Sequence, residues 1–352
     1  MAESTFCRCR ETTTWTRARR FLCLWMLFLT VGTFMLTVSV PSLNLSWFMT
    51  MTHTAYNTLH TSAADLSPDD PSLYFVPYPN QYSITVDEPH RCWQERPFLV
   101  LMIPVAPINR EARNAIRNTW GKETTVLGRV VSRYFLLGMS KEEDGTESIN
   151  EQVLEESRTH HDILQSDFLD SYKNLTIKTM VMFEWLSSRC PKSSFAMKID
   201  SDMFLNVRNL VSMLLKAPQR LYMTGMVARG ALVLRDRTSK WFLPVSVFPE
   251  DYYPTYARGL GYVFSLDLPK MILEASAHVK ALYIEDVYVG LCMRHLGIAL
   301  TNPPRGHSFH GMVPYLTSNC YWTSVITTIL GSSDQLKRVW RVYQSHDDCS
   351  HF

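Results

Sequence analysis

The sequence predicts an α/β domain with a largely parallel sheet, carried behind a membrane-spanning helix and a stem. Three observations support this. Phe21 to Val40 is a 20-residue stretch without a charge. Residues 41 to about 89 are polar and broken by prolines. Beyond Cys92, continuous apolar runs alternate with amphipathic segments, as in strand-helix repeats.

The elements follow in order. At about 1.5 Å per residue, residues 21–40 reach roughly 30 Å, the thickness of a bilayer core. Arg8, Arg10, Arg17, Arg19 and Arg20 precede them. Positive flanks stay cytosolic, so residues 1–20 read as a cytosolic tail and the rest as luminal. A cleaved signal peptide is the alternative, with small residues near Thr37 and Ser39, but its apolar core would be shorter. Residues 41–89, with "SPDDPS" and "VPYPN", read as a luminal stem. Residues 90–352 then form the globular domain. Phe98 to Val105 is a buried strand. Asn109 caps a helix running to Trp120, and Gly121 stops it. "VVSRYFLLG" is a second strand. Asn150 to His161 is a polar helix. Asn174 to Arg189 is a stronger one, with Ile177, Val181 and Trp185 on one face. "SFAMKID" is a third strand, followed by a helix around Leu210 to Leu215.

Composition narrows the function. Hydrophobic residues make up 46% and charged residues 19%, enough apolar material for a large core. The net charge is only +2 and no basic stripe runs along the chain, so no nucleic-acid partner is expected. Cys92, Cys190, Cys292, Cys320 and Cys349 fall in the luminal part, where disulfides form. Five is odd, so one thiol is free or pairs between chains. No Cys-x-x-Cys is present, which argues against a zinc knuckle. Gly-x-Ser-x-Gly, P-loop and His-Glu-x-x-His motifs are also missing.

Four segments carry possible chemistry. In "MKIDSDMFLN", Asp200 and Asp202 project to the same side of an extended chain and can hold a hard divalent cation. By itself Asp-x-Asp is as consistent with a solvated turn. In "YIEDVYVGLC", Asp286 is either a helix cap or a general base tuned by Glu285. Arg113 and Arg117 share a helical face that suits a diphosphate, or a solvated basic face. Gly259 and Gly261 allow close backbone approach to a ligand, or a bulge before a strand. His307 and His310 have metal-like spacing but no Cys partners.

Taken in order, "AIRNTWG", "YFLLG", "DFLDSYKNLTIKT", "MKIDSDMFLNV", "SKWFLP", "YVFS" and "IEDVYVGLC" resemble the β-1,3-galactosyltransferase family of Golgi enzymes, over about Pro97 to Asp348. The resemblance implies a GT-A nucleotide-sugar-binding fold, a type II Golgi membrane protein with its domain in the lumen, a UDP-sugar donor and Mn²⁺. It places the metal motif on Asp200, Ser201 and Asp202, with Asp202 the direct ligand, and the general base on Asp286. Donor-side positions are Arg113, Arg117, Trp120, Lys198, Gly259 and Gly261. Lys240, Trp241 and Glu285 line the cleft, and Asn174 is the glycosylated asparagine.

The reaction implied is inverting transfer of galactose from UDP-galactose to the 3-hydroxyl of a GlcNAc-terminated glycan. Two departures stand out. Ala257 replaces a cysteine usual in galactosyl members, which points toward an N-acetylglucosaminyl branch using UDP-GlcNAc. Ile329 falls where the family tends to carry a histidine, a candidate metal ligand. An inactive lectin-like or chaperone-like Golgi partner is the alternative of another class, opposed by the intact Asp200, Asp202 and Asp286.

Overall fold

The structure is a computed structural model that describes residues 70–141, 148–304, 309–315, 318 and 320–345. The expected tail, membrane helix and most of the stem lie outside the described residues. Among those described, no helix is long and apolar enough to cross a membrane.

Residues 68–352 form one compact unit. In chain order the described elements begin with β1 (Ile84–Val86), α1 (Arg91–Glu95), β2 (Leu99–Pro104), α2 (Arg110–Arg117), β3 (Thr125–Val126) and β4 (Arg129–Met139). Then come α3 (Ile149–His160), β5 (Ile163–Leu169), α4 (Leu175–Arg189), β6 (Phe195–Ile199), β7 (Met203–Leu205), α5 (Val207–Leu214) and β8 (Met223–Ala228). The last are β9 (Tyr256–Ser265), α6 (Leu268–Ser276), α7 (Glu285–His295), α8 (Tyr321–Ser324), β10 (Thr327–Ile329) and α9 (Ser333–Gln344).

The main sheet runs β1-β5-β4-β2-β6-β9-β8, with β3 on the end of β4. The four central strands β5, β4, β2 and β6 are parallel. Both flanks are antiparallel, β1 on β5 and β9 and β8 beyond β6. The sheet is therefore mixed, rather than largely parallel as the strand-helix alternation suggested. That alternation cannot report β8 and β9, because no crossover helix separates them.

Strand β2 shows why the sheet is central. All six of its residues are buried, and they alternate between two apolar clusters. Val100 and Met102 face α4, α6 and α7, while Leu99, Leu101 and Ile103 face α2, α5 and α9. A strand buried on both faces reads as a continuous apolar run because period-2 alternation has nothing polar to alternate with.

Two expected boundaries shift. Residues 70–89 were expected in the stem, but they fold into the domain. Tyr74 and Val76 are buried in the core, the Val76 N–H donates to the Ala281 carbonyl, and β1 pairs with β5. The proline and turn signals there mark an irregular edge rather than a linker. The helix after Asn109 is capped as expected, its side chain accepting from the Ala112 N–H, but it stops at Arg117. Trp120 instead enters a short 3-10 turn, where its indole Nε1 donates to the Met203 carbonyl at 3.0 Å.

A disulfide joins Cys92 on α1 to Cys190 at the end of α4. Cys320 is disulfide-bonded as well. Cys292 is the free thiol among the described residues, and it is buried.

Candidate active site

Strand β6 ends at Ile199 and turns through Asp200, Ser201 and Asp202 into β7. Antiparallel β9 lies beside it, with Tyr262 opposite Lys198 and Gly261 opposite Ile199. Helix α7 packs against β9 and begins at Glu285. Three segments distant in sequence therefore converge at one point.

Lys198 sits at that point and is buried. Its ammonium donates to Asp200 Oδ1 at 2.6 Å and to the Gly259 carbonyl, and lies 3.7 Å from Glu285 Oε2. Burial alone would lower its pKa. The charges of Asp200 and Glu285 overcome that and hold it above the ordinary lysine value. Lys198 thus joins the acidic turn to the start of α7.

Glu285 is buried and accepts from Tyr262 OH at 2.6 Å and Thr179 Oγ1 at 3.1 Å. Its neighbour Asp286 is half-buried. Asp286 Oδ2 accepts from the Gly259 N–H and Oδ1 from the Val287 N–H, both at 2.9 Å. Burial pushes the Asp286 pKa up, against the pull of those two N–H groups and Lys198. Asp286 is not the helix cap: Ile284 holds that position and Asp286 stands inside the first turn. Its carboxylate instead ties α7 to β9.

Gly259 explains why that tie is so close. A Cβ there would lie 3.2 Å from Glu285 Oε2, pressing on that carboxylate, and 3.6 Å from Asp286 Oδ2, in ordinary contact. Gly261 packs nearby, where a Cβ would meet Met197 at 3.1 Å. Both glycines lie within β9, so they permit close packing of the strand rather than precede it.

The acidic turn is open to solvent at Asp202, while Asp200 and Ser201 are half-buried. Surrounding protein raises the Asp202 pKa, and the like charge of Asp200 adds to it. Lys198 engages one oxygen of Asp200, and the exposed Asp202 has no such direct partner, an arrangement that suits a cation. Among the described residues no group of three or more His, Cys, Asp or Glu could hold a metal ion. Two carboxylates still fit a hard cation whose remaining positions are filled by substrate phosphate and water. Ile329 pairs with Met203, the residue after Asp202, and the Leu330 N–H donates to the Asp202 carbonyl. The backbone of β10 thus stands beside the acidic turn, while the Ile329 side chain packs against the apolar cluster that holds Met203. His307 lies outside the described residues. His310 Nδ1 pairs with Tyr321 OH at 2.7 Å.

Lys240 and Trp241 approach the same cleft. Lys240 bears electrostatically on Asp202, and its ammonium lies 4.6 Å from the Trp241 ring and 5.1 Å from the Tyr172 ring. Trp241 is 46% exposed. Tyr172 is the residue that motif reasoning missed. It is exposed, and burial of its hydroxyl raises its pKa, with smaller contributions from Asp286, Asp200 and Glu285. It lies in "DFLDSYKNLTIKT", where Asn174 carries a recognisable sequon and Tyr172 has no local signal of its own. The same segment supplies Lys178, buried, with Asp170 at 2.6 Å and the Val105 carbonyl at 3.2 Å. Asn174 is half-buried, with its side-chain amide on the Leu169 carbonyl.

Arg113, Arg117 and Trp120 are placed differently from the other expected donor contacts. Arg113 is 1% exposed and holds Glu156 through two bonds of 2.8 and 2.6 Å, with the Ala106 and Pro107 carbonyls on its third nitrogen. Arg117 holds Asp162 and Glu156, and Asp162 also holds Arg133. Buried guanidinium groups that are fully partnered present no face to a diphosphate. In this geometry they fasten α2 to α3 and β5. Trp120 is fully buried and supports the acidic turn through Met203.

The galactosyltransferase family model matches residues 111–304. Beta-1,3-galactosyltransferase 2 of Homo sapiens is 40% identical over 281 residues, which is 78% of this chain and 66% of that protein. Beta-1,3-galactosyltransferase 1 of Mus musculus is 40% identical over 266 residues, 74% of this chain and 78% of that protein. The chain thus spans just under two thirds of the former's length. Among solved structures the likeness is loose. The apo form of the bifunctional glycosyltransferase WbbM aligns over 70% of this chain and 51% of its own, at 9% identity and a TM-score of 0.38.

Proposed function

The chain belongs to the galactosyltransferase family, and from that premise we propose that it transfers galactose from UDP-galactose to the 3-hydroxyl of a GlcNAc-terminated glycan, inverting the anomeric carbon. The observation that carries this is the convergence on Lys198, which links the Asp200–Asp202 turn to Glu285 and Asp286. A diphosphate binder and a proton acceptor belong close together, and the contacts of Lys198 with both segments support that reading. The lumen of the Golgi, with residues 21–40 as the membrane anchor, is the setting the sequence supports.

Asp286 is the general base. Two N–H groups fix its carboxylate, and its raised pKa makes it a better proton acceptor than an ordinary aspartate. Glu285 is held away by Tyr262 and Thr179, so the two neighbouring carboxylates take different roles. Trp241, with Lys240 above it, offers an aromatic face to a sugar ring. Asp202 and Asp200 would hold Mn²⁺, which supplies positive charge to the departing diphosphate. Lys198 fixes Asp200 and the β9 backbone in register with α7. Pre-set geometry of this kind supplies much of a transferase's rate.

UDP-GlcNAc is the second donor reading, supported by Ala257, which is buried near the start of β9, the strand that carries Gly259. The test incubates the full chain with Mn²⁺, either donor, and β-GlcNAc or β-galactose acceptors. Galactose transfer to β-GlcNAc is expected, lost with chelator. Asp286→Asn should lower the rate by at least about 100-fold while leaving UDP binding nearly unchanged. Full activity in that variant would sink the assignment. Absence of transfer from both donors, in folded protein, would favour the lectin-like reading.

A further inference from the structure

A cavity of about 440 Å³ lies at the C-terminal end of α7, away from the cleft at its N-terminus. Such a volume is within the range of about 300–1,000 Å³ usual for small-molecule sites. Asp286 and Arg294 are eight residues apart on α7, about 12 Å along the helix axis, so the cavity occupies separate ground from the catalytic carboxylates. Its lining includes His278, Lys280, Arg294 and His295, together with Phe75 and Phe248. No acidic side chain lines it among the described residues.

The groups are arranged rather than scattered. The His278 and His295 rings stack at 5.4 Å with an interplanar angle of 13°. Lys280 Nζ lies 3.7 Å from the Phe75 ring centroid. Arg294 holds Glu250 through bonds of 3.1 and 2.9 Å, leaving Lys280 and the imidazoles without an acid among the lining residues. A second cavity of about 330 Å³ shares Arg294 and adds Arg229, again with no acidic lining residue. Arg229 is oriented by Asn302 at 2.6 Å.

We propose that this cavity binds an acidic carbohydrate, its sulfate or carboxylate held by Lys280 and the imidazole pair and its ring lying on Phe248. Charge-assisted hydrogen bonds to an oxyanion are stronger than neutral ones, and with Glu250 taken up by Arg294 the Lys280 ammonium is left to favour such a group. The apolar floor suits a ring with C–H faces better than a bare ion. The choice of a carbohydrate carrier rests on the proposed glycan acceptor. The anion preference rests on the lining alone.

The experiment is calorimetry on the full chain with a sulfated disaccharide, the same disaccharide without sulfate, inorganic sulfate, and vesicles of anionic phospholipid. The sulfated disaccharide is expected to bind about tenfold tighter than the neutral one, a difference of about 1.4 kcal/mol. Lys280→Gln with His295→Gln should abolish the difference. Glu250→Gln, which frees Arg294, should tighten binding several-fold, a gain that misfolding cannot imitate. Asp286→Asn should bind the sulfated sugar unchanged, which separates this site from the transfer reaction. Equal affinity for both disaccharides would overturn the proposal. So would inorganic sulfate competing as well as the sulfated sugar, or selective binding to the vesicles.

Discussion

Asp286 carries two consequences of its position that pull apart with pH. Its pKa is raised by burial, so the ionised form that the proposed base role requires becomes dominant only above the ordinary aspartate value of about 3.9. The acid limb of the kcat/KM profile is therefore expected above that value, measured at saturating metal. The stability effect has the opposite sense. A carboxyl whose pKa is raised on folding favours the fold most at pH below its unfolded value. It loses that contribution as pH climbs through its folded value. Asp286→Asn removes the charge while keeping an acceptor for an N–H. Its melting temperature at pH 7 should equal or exceed the parent's, and the gap should close as pH falls through the raised pKa. A variant several degrees less stable at pH 7 would show that the two N–H bonds matter more than the buried charge.

At the scale of elements, α2 is the case where residue type and residue role part. Arg113 and Arg117 were read as diphosphate ligands because guanidinium pairs suit that task. The structure engages them with Glu156 on α3 and Asp162 before β5. Arg113→Met leaves Glu156 with one fewer buried partner. Removing one member of a buried pair costs about 3–5 kcal/mol, and denaturant unfolding should show a loss of that order. UDP affinity of the folded fraction should change by less than about twofold, well below the tenfold that corresponds to about 1.4 kcal/mol. A large affinity loss without destabilisation would restore the donor role. Strand β10 offers the complementary test. Ile329 pairs with Met203, next to Asp202 in the chain, so Ile329→His tests whether an imidazole at this position reaches the acidic turn. Mn²⁺ affinity measured by calorimetry should rise about tenfold if the position is a ligand position.

Much of this was legible in sequence. Phe98 to Val105 gave β2, "SFAMKID" gave β6, and the helices over 149–160 and 175–189 fall where expected, because each has a strong local pattern. The cluster around Lys198 was legible only in part. Asp200, Asp202, Asp286, Lys198 and Gly259 were all picked out, but Lys198 as a bridge is a long-range fact that no spacing encodes. Tyr172 was passed over because a tyrosine near a glycosylation sequon carries no periodic signal. Strand β1 was hidden among prolines, since its three residues are too few to show alternation.

Across the whole domain, the Cys92–Cys190 disulfide spans a sequence separation of 98 that contains β2, β4, β5 and all of α4. Cross-links over loops of this length stabilise by about 2–5 kcal/mol, in large part by restricting the unfolded chain. Cys92→Ser with Cys190→Ser should lower stability by that amount, read from thermal or denaturant unfolding. The Lys198–Asp200 distance lies outside the closed loop, so transfer by the protein that remains folded should persist. Inactive folded protein would mean that the cross-link shapes the cleft as well.

The segment that precedes β2 has a further consequence, for proteolytic release. Tyr74 and Val76 are core residues, the Val76 N–H is bound to Ala281 just upstream of α7, and Phe75 bridges to Leu282. A protease that cuts before Pro68 frees the compact unit whole. One that cuts a few residues later, between Val76 and Ile84, separates the segment bound to Ala281 and Leu282 and loosens the base of the helix that carries Asp286. The same kind of cleavage therefore either sheds a working catalyst or switches it off, and some ten residues of chain separate the two results.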